Sequence, residues 1–268
     1  MTCVAAVGAE ARKGGLVVLI RSLQALGNLL VVDGCVACGS LCTSSEMGLC
    51  ESCRGLVPQL PSSSCRRCAQ SGVAGPTSGR VQEVDSGLCE DCIRDPQRPT
   101  IRCCASLSGE LLPALLHRFK YGGEFALSRP LGSIFAQGGR RLLKGYSLDA
   151  VVPVPLHDRR LRSRGFNQAA VLARALCREL ELPLIYGLER GLATPPQALL
   201  TAAERAANLE GAFTVRESET RRLKGARLLL VDDVVTTTWT MRECMDRLRA
   251  AGASCVAALA LARTPRSR

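Results

Sequence analysis

Aromatic residues are scarce in this chain: one Trp, three Tyr and five Phe in 268 residues. A core of ordinary size must then rest on Leu, Val and Ala, within a hydrophobic fraction of 47%. Histidine is scarcer still, with two. His157 therefore stands nearly alone and reads better as a hydrogen-bonded scaffold residue than as a base. Long apolar runs are missing as well. The stretch "GGLVVLIRSLQALGNLLVV" is broken by Arg21, Gln24 and Asn28 and is too short and too polar to span a bilayer. No small-residue cleavage site follows it, so it does not read as an export signal. We expect a flexible extension over residues 1–22, an amphipathic helix leading out of it, and a cytoplasmic protein without membrane insertion.

Acidic residues are outnumbered in one part only. Residues 1–104 hold 10 Lys/Arg and 9 Asp/Glu, whereas residues 105–268 hold 25 and 15, so nearly all of the net +11 lies in the second stretch. Such a surplus suits phosphates, pyrophosphate or nucleic acid, and it is also what an ordinary Arg-rich surface looks like. The length fits one ordinary domain and a smaller one, at about 100–200 residues per domain.

Cysteine is in excess, with fifteen. Eight fall into C-x-x-C pairs: Cys35/Cys38, Cys50/Cys53, Cys65/Cys68 and Cys89/Cys92. Two intervening residues let both sulfurs of a tight turn face one ion, and two such turns complete a tetrahedral Cys₄ shell. The pairs also repeat, "GLCESC" at 48–53 returning as "GLCEDC" at 87–92. This predicts a double zinc ribbon over 23–104, with two structural zinc sites. Four thiolates per ion leave no open position for water, so no chemistry is expected there. A disulfide network would need an oxidising compartment. The repeat favours pairing in sequence order, with an interleaved arrangement as the alternative. With two ions bound, the charge of residues 1–104 falls from +1 to about −3, which argues against a general DNA clamp. Cys42, Cys103, Cys104, Cys177, Cys244 and Cys255 lack such spacing and are expected to be small buried apolar residues.

From about Ala105 the pattern alternates strand and helix. "DAVVPVPL" (149–156), "GARLLLVDDVV" (225–235) and "CVAALALA" (255–262) are short uninterrupted apolar runs, the mark of strands buried on both faces. "NQAAVLARALCREL" (167–180) reads as an amphipathic helix. "TMRECMDRLRAAGA" (240–253) sets Met241, Cys244, Met245 and Leu248 on one helical face, with Gly252 as the stop. Together these predict an α/β domain over 105–268, a parallel sheet with helices on both faces. Ligands of such sheets bind beyond the carboxyl ends of the strands. The stretch "DDVVTTTWT" lies at that edge, where a helix N-terminus suits a phosphate; it also fits a plain strand end followed by an N-cap Thr.

"LLLVDDVVTTTWT" resembles the phosphoribosyl-pyrophosphate motif of type I phosphoribosyltransferases. Together with "DAVVPVPLHDRRLRSRGFNQA", "RAANLEGAF", "LHRFKYGGEF" and the cysteine pairs, the chain is similar to the ComF family from about Leu23 onward. That family joins a double zinc ribbon to a phosphoribosyltransferase domain and is associated with competence and DNA uptake. The resemblance implies phosphoribosyl pyrophosphate as ligand, with Mg²⁺. It implies that Asp232 and Asp233 accept hydrogen bonds from the ribose hydroxyls. Thr236, Thr237, Thr238, Trp239 and Thr240 would form the turn for the 5′-phosphate. Arg159, Arg160, Arg162 and Arg164 match the pyrophosphate loop, and guanidinium forks suit phosphate oxygens; a solvated basic turn, or a patch for nucleic-acid phosphates, uses the same residues. Arg205 and Asn208 match positions of the mobile hood, and Lys120 and Tyr121 are further candidates.

The chain departs from the family pattern twice. Thr238 stands where the turn has Gly, a residue used for positive φ or close backbone approach; if positive φ is required, a β-branched residue costs about 1–2 kcal/mol. Thr236 stands where the hypoxanthine-type enzymes have a proton-accepting Asp, which argues against classical purine salvage. Three functions follow from the resemblance. One is a Mg²⁺-dependent transferase of ribose 5-phosphate to an unknown acceptor. Another is a DNA-uptake factor that holds single-stranded DNA and docks a competence helicase-type partner. The third is a regulator that binds phosphoribosyl pyrophosphate without turnover.

Overall fold

In a computed structural model that describes residues 34–42, 47–71, 87–191 and 211–265, the apolar runs become strands of one parallel sheet. Its strands are β1 (Ile101–Ser106), β2 (Ala150–Pro153), β5 (Arg227–Val235) and β6 (Cys255–Arg263), in the order β1-β6-β5-β2. Every pairing is parallel, with Val151 beside Leu229, Leu230 beside Ala258 and Ala260 beside Cys103. A second, antiparallel ribbon pairs β3 (Leu188–Arg190) with β4 (Phe213–Val215).

Burial explains the sheet. Leu228, Leu229, Leu230 and Val231 in β5 are all fully buried, so both faces of this interior strand are covered. One face packs on helix α8 (Trp239–Ala250) through Met241, Cys244, Met245 and Leu248, the stripe read from the sequence. Gly252 follows this helix at φ +92, a conformation that suits glycine and ends the helix there. The opposite face is covered by α4 (Ser128–Leu142) and α6 (Gln168–Leu180), which pack on each other. Glycine allows α4 to come close: a Cβ at Gly138 would lie 2.7 Å from Cys104 Sγ.

The chain divides into two units, Met1–Glu51 and Ser52–Arg268. In the first, an antiparallel bridge joins Gly34 and Leu41, and the Gly39 amide donates to the Cys35 carbonyl at 2.8 Å. The second unit repeats that knuckle, with the Ala69 amide donating to the Cys65 carbonyl at 2.9 Å. Both residues that follow the second cysteine take positive φ, +75 at Gly39 and +59 at Ala69. Short helices α1 (Glu51–Gly55) and α2 (Glu90–Arg94) start right after Cys50 and Cys89. The other labelled helices are α3 (Leu111–Tyr121), α5 (Asp158–Arg164) and α7 (Thr220–Leu223).

Of the cysteines expected to be buried, Cys103, Cys104, Cys177 and Cys244 are. Cys42 is half-buried and Cys255 is exposed, a correction with a simple cause: Cys255 opens β6, before the strand enters the interior. The expected N-terminal extension and amphipathic helix lie outside the described residues. Among the described residues no helix is long and apolar enough to cross a membrane.

Candidate functional site

Parallel pairing sets the direction of β5 and so delivers Asp232 and Asp233 to the carboxyl edge of the sheet. Neighbouring strand residues point to opposite faces, so the two carboxylates have different surroundings. Asp233 is buried, and its Oδ2 lies 2.9 Å from Lys120 Nζ, the two side chains being 12% and 18% exposed. Lys120 comes from the last turn of α3. Asp232 keeps some surface, and its Oδ1 accepts the Asp233 amide at 2.8 Å. Burial of its carboxyl, and next the charge of Asp233, raise its pKa to about 7, while Lys120 and Arg190 pull the other way.

The turn follows directly. Thr236 and Trp239 are exposed, Thr237 and Thr240 half-buried, and Thr238 buried. Thr238 adopts φ −87 and ψ −2, an ordinary right-handed conformation. The positive φ that would have penalised a β-branched residue is therefore not used, and the departure from glycine carries no backbone strain. Thr238 makes no side-chain cap bond. The first amides of an α-helix have no carbonyl partner within it, so the start of the twelve-residue α8 offers N–H donors beside the hydroxyls of Thr237 and Thr240. Trp239 lies beside Arg242, whose guanidinium carbon is 5.7 Å from the indole centroid.

The four arginines of "RRLRSR" lie on α5, a basic helix of about two turns with no buried residue. Arg159, Arg160 and Arg162 are exposed and in no ion pair among the described residues, whereas Arg164 donates to Gln168 Oε1 at 3.2 Å and Tyr121 Oη at 3.0 Å and stacks on the Tyr121 ring. His157 caps this helix, its Nδ1 accepting the Arg159 amide at 3.1 Å, which is a scaffold role. Gly165 ends it at φ +77. Beyond α5 lies a cleft of about 700 Å³ at the carboxyl end of β2, lined by Phe166, Tyr186, Arg174 and Arg190 among others. The carboxylate pair and the threonine turn do not line it.

Sequence reasoning missed Arg190. It sits on β3, packed over Phe213 at 5.2 Å, and the charges of Arg160 and Asp232 both act on it; burial and then Arg160 push its pKa down. A single Arg in a three-residue strand carries no motif, so nothing in the sequence marks it. Arg205 and Asn208 lie outside the described residues.

The cysteine pairs come together in sequence order. The sulfurs of Cys35, Cys38, Cys50 and Cys53 lie within 4.8 Å of one another, as do those of Cys65, Cys68, Cys89 and Cys92. The repeat extends to the amides: Cys50 N–H points at Cys35 Sγ at 3.5 Å, and Cys89 N–H at Cys65 Sγ at 3.3 Å. Four sulfur donors gathered this closely fit a tetrahedral zinc ion.

Residues 161–268 match the phosphoribosyl transferase domain family. Competence protein F of Haemophilus influenzae is 29% identical over 235 residues, covering 85% of this chain and 96% of that protein. DNA utilization protein YhgH of Salmonella typhimurium is 30% identical over 243 residues, covering 88% of this chain and 100% of that protein. Competence protein ComFC of Bacillus subtilis is 27% identical over 199 residues, covering 72% and 74%. Among solved structures, a purine phosphoribosyltransferase from Pyrococcus horikoshii Ot3 aligns over 50% of this chain and 73% of its own, with a TM-score of 0.34 and 18% identity.

Proposed function

Because this chain belongs to the ComF family, whose members include Competence protein F and YhgH, we propose that it binds phosphoribosyl pyrophosphate at the carboxyl end of β5. The observation that carries this reading is one continuous feature: Asp232 and Asp233 at the strand end, then the hydroxyl-bearing turn, then the N-terminus of α8. The two carboxylates accept hydrogen bonds from the ribose hydroxyls. The amides and hydroxyls of Thr236–Thr240 take the 5′-phosphate, helped by the helix dipole. Arg159, Arg160 and Arg162 take the pyrophosphate.

Magnesium, when bound, offsets the charge of the pyrophosphate group. In a transfer reaction the bond between the anomeric carbon and pyrophosphate breaks, and one to the acceptor forms. The arginines stabilise the departing anion. Thr236 supplies no carboxylate to take an acceptor's proton, so an acceptor must attack through an atom that carries no proton or lose its proton to another group. Zinc in the two cysteine clusters holds the fold and does no chemistry.

Trp239, the chain's one indole, reports on this proposal. Its emission should change saturably with phosphoribosyl pyrophosphate and Mg²⁺, and much less with Asp232→Asn and Asp233→Asn combined. An unchanged emission, together with no heat in calorimetry, would remove the reading.

A second reading draws on the exposed Arg159, Arg160 and Arg162 of α5 and the name of the YhgH relatives, DNA utilization protein: that this surface holds single-stranded DNA by its phosphates. Neutralising Arg159, Arg160 and Arg162 should then lower the salt slope of oligonucleotide binding by about 2, at roughly 0.7 per phosphate contact. An unchanged slope excludes it.

A further inference from the structure

The second cysteine cluster and the threonine turn are joined by two separate side-chain bridges. The first is buried. Gln70, two residues past Cys68, is held in the knuckle by its carbonyl, which accepts the Cys65 amide at 2.8 Å. Its side-chain Oε1 accepts from Arg263 Nη2 at 2.6 Å, and Arg263 Nη1 reaches the Val235 carbonyl at 3.3 Å. Val235 is the residue immediately before Thr236. Gln70 and Arg263 are both buried, at 3% and 2% exposure, so water cannot replace these bonds at little cost. The Thr264 amide donates to the same Val235 carbonyl at 3.0 Å.

The second bridge is nearer the surface. Asp95 closes α2, the helix that carries Cys92, and its Oδ2 lies 2.7 Å from Arg242 Nη1. Arg242 is in the first turn of α8 and stacks beside Trp239. Arg67, inside the Cys65–Cys68 knuckle, fixes the same corner by donating to the Cys92 carbonyl at 2.9 Å and the Pro96 carbonyl at 3.1 Å. Charge adds to the geometry. Four thiolates around one divalent ion leave a net negative charge, and the Arg263 guanidinium is buried near enough to feel Cys68 and Cys89.

From this we infer that the second cluster, when loaded with metal, sets the shape of the phosphate turn, with Gln70, Arg263, Asp95 and Arg242 as the positioning residues. The inference rests on the proposed function only for the identity of the ligand; the mechanical link stands without it. Coupling of this kind is reciprocal, so a ligand in the turn must also tighten the hold on the metal.

The test uses the full chain loaded with two equivalents of zinc. A chromophoric chelator withdraws the metal while its absorbance and the Trp239 emission are followed together, with far-UV circular dichroism alongside. We expect the emission change to track one zinc equivalent and not the other. Asp95→Asn, which leaves both metals bound and does not touch the indole, should show its Trp239 emission already displaced in the loaded state. Saturating phosphoribosyl pyrophosphate with Mg²⁺ should raise the chelator concentration that withdraws that same equivalent at equilibrium by about fivefold or more, the low end of ordinary coupling, and Asp95→Asn should reduce that factor. Emission that ignores the departure of both equivalents, or a loaded Asp95→Asn protein indistinguishable from the parent, overturns the link. Should calorimetry show no binding of phosphoribosyl pyrophosphate while emission still follows the metal, the functional proposal fails and the link stands.

Discussion

Lys120 and Asp233 give the most searching test of the site's construction. Replacing Lys120 by Met keeps the stem and much of the volume but removes the ammonium from a carboxylate 2.9 Å away. At that distance the Coulomb attraction is about 6 kcal/mol for an effective dielectric near 20. Desolvation of the two groups cancels much of it, since their side chains are only 12% and 18% exposed. What the variant loses is the partner of a mostly buried charge; about 2–3 kcal/mol is expected, below the roughly 3–5 kcal/mol of a fully buried pair because both side chains keep some contact with water. In a domain of this size about 1 kcal/mol moves Tm by 2–4 °C, so Lys120→Met should melt about 4–12 °C lower. Asp233→Asn and the double variant complete a thermodynamic cycle. The double variant should recover part of the loss, giving a coupling above about 1 kcal/mol. A coupling below about 0.5 kcal/mol would show that the pair is not formed, and with it would go the assignment of α3 to the edge of the site.

Three further outcomes are expected. Thr238→Gly should lower stability by about 1–2 kcal/mol, through lost burial and added chain entropy, without improving ligand affinity; tighter binding of phosphoribosyl pyrophosphate by about tenfold would show that the turn needs a closer approach than Thr allows. Asp232 has a folded-state pKa raised to about 7, above its unfolded value. It therefore contributes stability that is complete below about pH 4 and is lost as the pH rises towards 7. Relative to Asp232→Asn, the parent's denaturation midpoint should fall across that window, and a constant difference would contradict the burial argument. Gly138→Leu should be poorly folded by circular dichroism, because even a Cβ there would meet Cys104 at 2.7 Å; a normal melt would mean that α4 is free to move off β1.

Much of the sheet was legible in the sequence, for a definite reason. β2, β5 and β6 are buried on both faces, so their apolar runs are uninterrupted, and α8 shows its buried stripe at helical spacing. β1 was not legible: "IRCCAS" holds two cysteines and an arginine, and only its pairing with β6 makes it a strand. The antiparallel β3–β4 ribbon is three residues on each side, too short for any period to show. The pairing order of the cysteines followed from the repeat because each knuckle carries its own hydrogen bonds. The candidate site can be read from the sequence where it is contiguous, as in "DDVVTTTWT", and not where partners are distant. Lys120 is 113 residues from Asp233, and Gln70 is 193 from Arg263. The conformation at Thr238 was likewise beyond the sequence, since the same turn motif fits a glycine with positive φ or a threonine without it.

The central claim is that the carboxylate pair and the turn behind it hold a sugar phosphate, and calorimetry of the full chain with phosphoribosyl pyrophosphate and Mg²⁺ tests it most directly. Saturable binding, weakened at least about tenfold when Asp232 and Asp233 are both changed to Asn (a loss near 1.4 kcal/mol), is the predicted result. No heat of binding by the parent protein, or equal affinity in the Asn variant, would contradict it.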